Sequence, residues 1–161
     1  MRPGMAACSF YAAMATRLSA TFVPVSEILG IEERKGKGIR MDYKELRVWK
    51  ESRELVKDIY RISAKFPKEE LFGLTNQIRR AAVSIPSNIA EGHNRYSDRE
   101  FIHFLTIAKG SAAEVETQMI IAVDLGYLTD EEAEWILDKI DKTIRTIGSL
   151  ISSVREKPQR I

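Results

Sequence analysis

Ser84, Pro86, Ser87, Asn88, Glu91 and Gly92 fall within the run Ser-Ile-Pro-Ser-Asn-Ile-Ala-Glu-Gly, inside a stretch that otherwise reads as helix. Hydroxyls, a carboxamide and a carboxylate around a helix-breaking proline are materials for a polar site. They are also materials for a seam between helices. Pro86 has no N–H for the Ala82 carbonyl and its ring crowds that carbonyl, so a kink is expected there. Ser87 and Asn88 can then serve the freed carbonyls, as buried polar groups require partners. Ser84 and Gly92 allow close approach of a neighbour, and polar core residues can set register and oligomer state. The seam is the favoured reading.

Glu114 and Gln118 lie four apart and share a helix face, on which they could pair with Arg79, Arg80 or Lys109 across a helix or subunit boundary. A solvated charged face explains them equally well. The cations available to a nucleic acid are Arg79, Arg80, His93, Arg95, Arg99 and Lys109. Tyr96 stands between Arg95 and Arg99, and an arginine beside an aromatic ring can hold a phosphate and stack a base. A helix N-terminus there adds positive potential, which Asp98 and Glu100 offset. Ordinary surface charge is the competing reading.

Glu100-Phe101-Ile102-His103 matches Glu-x-x-His, but a ferritin-like di-iron bundle needs two such motifs and two further glutamates. A metal-dependent oxidase is therefore a remote alternative. No glycine-rich phosphate loop or nucleophile-elbow serine is present. Cys8 is the single cysteine, so no internal disulfide can form and the chain fits a reducing, cytoplasmic compartment. No catalytic residue, metal site or cofactor is assigned.

The elements that must position these residues read as four helices. The first is expected at about Lys44–Lys65, with Leu46, Trp49, Val56, Ile59 and Tyr60 on its apolar face and Val48, Leu55 and Ile62 on a neighbouring row. Phe66-Pro67 ends it. The second, about Glu69–Glu91, buries Leu74, Ile78, Ala81, Ala82, Ile85, Ile89 and Ala90, and Gly92 is its natural stop. Ser97-Asp98-Arg99-Glu100 is a capping box that opens the third helix, Asp98–Leu125. Its stripe is Phe101, Leu105, Ala108, Ala112, Val115, Met119 and Ala122, and Gly126 takes the C′ position. Thr129-Asp130-Glu131-Glu132 opens the fourth, Asp130–Lys157, with Ala133, Leu137, Ile140, Ile144, Ile147, Ile151 and Val154 along one side. Short turns make the four run up-down-up-down, an all-α antiparallel four-helix bundle. No apolar run approaches the roughly 18 residues that span a bilayer, so no membrane partner is expected.

Residues 1–40 form an N-terminal extension unlike the bundle of 41–161. They carry no acid before Glu27, and Glu32 to Gly38 can be written in purine codons just ahead of Met41. That pattern fits an unstructured extension or translation read from upstream of a true start at Met41. The extension also takes the basic excess with it: 41–161 holds 19 basic and 20 acidic residues. A sequence-independent nucleic-acid binder usually shows a clear basic surplus.

Several stretches resemble a known family. They are Leu46-Arg47-Val48-Trp49, the run from Gly73 to Gly92, Phe104 to Ser111, and Glu114 to Gln118. In this order they resemble the bacterial 23S rRNA intervening-sequence proteins, over nearly all of 41–161. A related bundle is the accessory protein of diversity-generating retroelements. The resemblance implies a small cytoplasmic bundle that assembles as a homopentamer, with rRNA or another structured RNA as partner. The expected function is a non-enzymatic homo-oligomeric binding or scaffold module associated with a ribonucleoprotein. The alternative is an assembly module that contacts proteins only.

Overall fold

A computed structural model describes residues 42–156, so the readings made for 1–40, for Met41 and for the end of the last helix lie outside the described residues. Among the described residues four α-helices make up the bundle: α1 (Arg47–Ser63), α2 (Leu74–His93), α3 (Asp98–Asp124) and α4 (Asp130–Glu156). Short 3-10 turns at Tyr43–Glu45 and Lys68–Leu71 precede α1 and α2. Each helix packs on the next, and α4 returns to α1. The α2–α3 seam is the most extensive and the α1–α4 seam the least. No helix among the described residues is long and apolar enough to cross a membrane.

The three-four stripe of α3 is buried as read, from Phe101 to Ala122. Its C-terminus closes on Gly126 at φ 74°. There the Tyr127 N–H donates to the Ala122 carbonyl and the Gly126 N–H to the Val123 carbonyl, both at 2.9 Å. These are the paired bonds of a Schellman motif, and they need the left-handed backbone that glycine adopts freely. Both capping boxes form. The Ser97 and Thr129 hydroxyls accept from the N–H groups of Glu100 and Glu132; in return Glu132 accepts from the Thr129 N–H and Glu100 from the Ser97 hydroxyl.

The first helix differs from expectation. Its buried line is Val48, Ser52, Leu55, Ile59 and Ile62. Trp49 and Val56 are half-buried and Tyr60 is 44% exposed. A serine holds the central place because its hydroxyl donates to the Trp49 carbonyl at 2.8 Å and so is not left unpaired in the core. In α4 the same device operates at Thr143, which bonds the Lys139 carbonyl at 2.9 Å. There the expected Ala133, Leu137, Ile140, Ile147 and Val154 are buried, joined by Ile136, Thr143 and Leu150, while Ile144 and Ile151 sit at the margin.

The second helix begins at Leu74, not near Glu69, because Gly73 takes a non-helical conformation (φ −97°, ψ −121°). Glu70 caps it from outside: Oε2 accepts from the Leu74 N–H at 2.9 Å, where the helix N-terminus favours a negative charge. Its other oxygen accepts from the Tyr127 hydroxyl at 3.2 Å, tying the α3–α4 turn to the start of α2. The helix runs unbroken through Pro86 and past Gly92 to His93, and Asn94 closes it. Gly92 is thus not the stop. A Cβ there would lie 2.5 Å from Phe104 Cβ and 3.2 Å from Phe101 Cδ2, so the missing side chain lets α3 approach α2.

Candidate functional site

Around Pro86, side chains and carbonyls pair one turn apart. The Ser87 hydroxyl donates to the Val83 carbonyl at 2.8 Å, and the Asn88 amide to the Ser84 carbonyl at 2.8 Å and to the Ser84 hydroxyl at 2.9 Å. Neither reaches Ala82, the carbonyl Pro86 frees by lacking an N–H, because a helical side chain leans toward the residue four before its own. The Ser84 hydroxyl also meets that of Ser111 at 3.0 Å, which carries the network from α2 to α3. Glu91 is outside it, paired with Arg95 at 2.5 Å.

Beside this network lies a groove of about 670 Å³, walled by Tyr60 of α1, Leu71 of the 3-10 turn and Phe72 just after it, and Arg79, Arg80 and Val83 of α2. Ser84 and Ser87 also line it. Phe72 is 89% exposed, and Leu71 and Val83 are exposed too. Arg79 is half-buried. Its Nε donates to the Ser63 hydroxyl at 2.8 Å and its guanidinium lies 4.9 Å from the centre of the Tyr60 ring. Among the described residues neither Arg79 nor Arg80 makes an ion pair. Sequence reasoning picked out both arginines and both serines but missed Tyr60, Leu71 and Phe72. The available signal was Leu71-Phe72 itself, an apolar pair between Glu70 and the breaker Gly73, on no helical stripe.

The remaining cations are not gathered with these. His93 belongs to an aromatic cluster, edge-on to Phe101 at 5.7 Å and 6.4 Å from Tyr43. Arg95 is drawn to Glu91 and lies over the Phe104 ring at 5.1 Å. Tyr96, fully exposed, and Arg99 stand at the N-terminal end of α3. Lys109 is exposed midway along it. Within the described residues Glu114 and Gln118 bond to none of Arg79, Arg80 and Lys109. Instead the Gln118 amide donates to Glu114 Oε1 at 3.1 Å, while Gln118 Oε1 is buried without a partner.

Glu100 is engaged in its capping box and His103 packs against Phe104. Among the described residues, no three His, Cys, Asp or Glu side chains converge as a metal site would require. One carboxylate is held above its ordinary range: burial of Glu116 on α3 raises it, and the neighbouring charge of Asp141 on α4 adds to the effect. The groove offers a guanidinium stacked on an aromatic ring between apolar walls, the composition of a surface that can hold a partner.

A model of the 23S rRNA-intervening sequence protein family matches residues 44–149. The chain belongs to that family. A solved structure is similar to this intervening-sequence family chain, that of a protein of unknown function from the S23 ribosomal protein family of Bacteroides thetaiotaomicron. The two are 27% identical, the match covers 70% of this chain and 99% of that one, and the TM-score is 0.62. No functionally curated protein matches.

Proposed function

We propose that this chain is a non-enzymatic scaffold of the bacterial cytoplasm that assembles with copies of itself, as a homopentamer, and associates as an assembly with structured RNA. The observation that carries self-association is the apolar surface around Phe72. Aromatic, aliphatic and arginine side chains exposed together are the composition of a buried interface core, and they are unusual on the free face of a small monomer. The polar network from Ser84 to Asn88 and Ser111 acts in this reading as a structural seam that holds α2 and α3 in register behind that surface.

RNA association rests on the family, named for an insertion in 23S rRNA, and on the exposed Tyr96 and Arg99. With Arg95 drawn to Glu91 and His93 packed among rings, that patch is narrower than a run of six cations. An assembly that repeats it around a ring would multiply weak contacts. The near-neutral charge of 41–161 favours the second reading, a module that contacts proteins only.

Sedimentation of the full chain at micromolar concentration tests assembly; a monomer sinks it. Filter binding to a structured RNA at several salt concentrations then separates the two readings. The expected result is binding whose logarithm falls linearly with that of salt, the slope counting phosphates contacted. Absence of binding at the lowest salt leaves the protein-only module.

A further inference from the structure

The outer line of α3 is the counterpart of the groove. Ile107, Glu114 and Ile121 are spaced seven apart, so they lie on one face. All three are exposed, Ile107 at 40% and Ile121 at 42%. Gly110 falls on the same line. A glycine inside a helix is unfavourable by roughly 0.5–1 kcal/mol relative to alanine, and it persists where something needs the space. Nothing among the described residues does: a Cβ built on Gly110 meets no atom of theirs within 4 Å. Gly92, by contrast, is explained by Phe104. The open side of Gly110 is therefore a place where another body can come close to the α3 backbone.

Charge says which body. Arg79 is half-buried, steadied by Ser63 and Tyr60, and has no carboxylate among the described residues; Arg80 beside it has none either. Glu114 is an exposed carboxylate whose only hydrogen bond among the described residues is from the Gln118 amide, which holds it in place on the surface. The two arginines and the glutamate are complementary, and each is flanked by exposed apolar side chains. A charge pair set in an apolar surround is shielded from water and gives register as well as affinity.

We infer that the groove of one copy receives the α3 line of a second copy, with Glu114 of one facing the Arg79–Arg80 pair of the other and Gly110 at the closest backbone approach. This deepens the self-association reading and rests on it.

The test uses the full chain and sedimentation across a concentration series, with far-ultraviolet circular dichroism to confirm folding. Arg80→Glu and Glu114→Arg should each raise the dissociation constant of the assembly about tenfold or more, and the double variant should return most of that loss. Gly110→Ala should raise the melting temperature of the dissociated chain, through better helix propensity, and still weaken assembly. A benzophenone side chain placed at Val83 should crosslink to Asp98–Asp124 of a second copy. Single variants that assemble like the wild type overturn the pairing, as does a Gly110→Ala chain that assembles normally. Crosslinks from Val83 to residues 1–41 of the same chain, or to RNA, overturn it too. A wild-type chain that stays monomeric defeats the self-association reading itself and the pairing with it, whereas an assembling wild type with indifferent variants defeats the pairing alone.

Discussion

At the scale of single residues, glycines divide by what their missing side chain serves. Gly126 supplies a left-handed turn, Gly92 admits Phe104, and Gly110 serves no neighbour among the described residues. Gly92→Ala should therefore destabilise the fold by about 1–3 kcal/mol, the usual range for forcing extra volume into a packed seam, read as a lower denaturation midpoint. Sequence alone could not make this division. A glycine at the end of a helical pattern looks like a stop whether it turns the chain or accepts a neighbour, and only the position of Phe104 across the seam decides. The polar residues of the Ser84–Asn88 run were legible as self-satisfying. Their partners were not, since Ser111 is 27 residues away from Ser84 and nothing local indicates it.

At the scale of elements, α3 and α4 could be read closely because their ends carry capping boxes and their stripes are long. Ser97→Ala should cost about 1 kcal/mol, measurable by chemical denaturation, since it leaves the Glu100 N–H without its acceptor. The first helix was harder to read. Its buried line passes through Ser52, and a search for apolar periodicity steps around a serine onto Trp49 and Tyr60 instead. That error hid the groove, because a Tyr60 assigned to the core cannot be a wall. The start of α2 was misplaced for a related reason: Glu69 to Leu71 have good helix propensity, and the local backbone is decided by Gly73 and by the cap that Glu70 provides.

At the scale of the whole molecule, two carboxylates give stability opposite dependences on pH. Glu132 is held below its ordinary range, first by its hydrogen bond from Lys65 and then by the Thr129 N–H. Its contribution is present above the ordinary carboxylate range and is lost as pH falls through its lowered value. Glu116 is held above that range, so the folded state binds the proton more readily than the unfolded chain does. Stability from this source falls as pH rises from the ordinary carboxylate range through the raised value. Glu116→Gln should therefore stabilise the protein at neutral pH by less than about 1 kcal/mol, because solvent screens a partly exposed group. The gain should vanish in acid, where wild-type Glu116 is already neutral. Thermal melts of both chains at neutral and acid pH check the sign.

The α1–α4 seam, the sparsest of the four, is spanned by ion pairs from Asp58 to Lys139, at 2.5 Å, and from Lys65 to Glu132. Added salt weakens such pairs, the more exposed Lys65–Glu132 more than the part-buried Asp58–Lys139, and leaves apolar packing nearly untouched. The bundle should thus open along this line first, with α1 parting from α4 while the α2–α3 seam stays closed. Amide hydrogen exchange would show this as salt-accelerated deuterium uptake in α1 and α4, with the middle of α3 slow at every salt concentration.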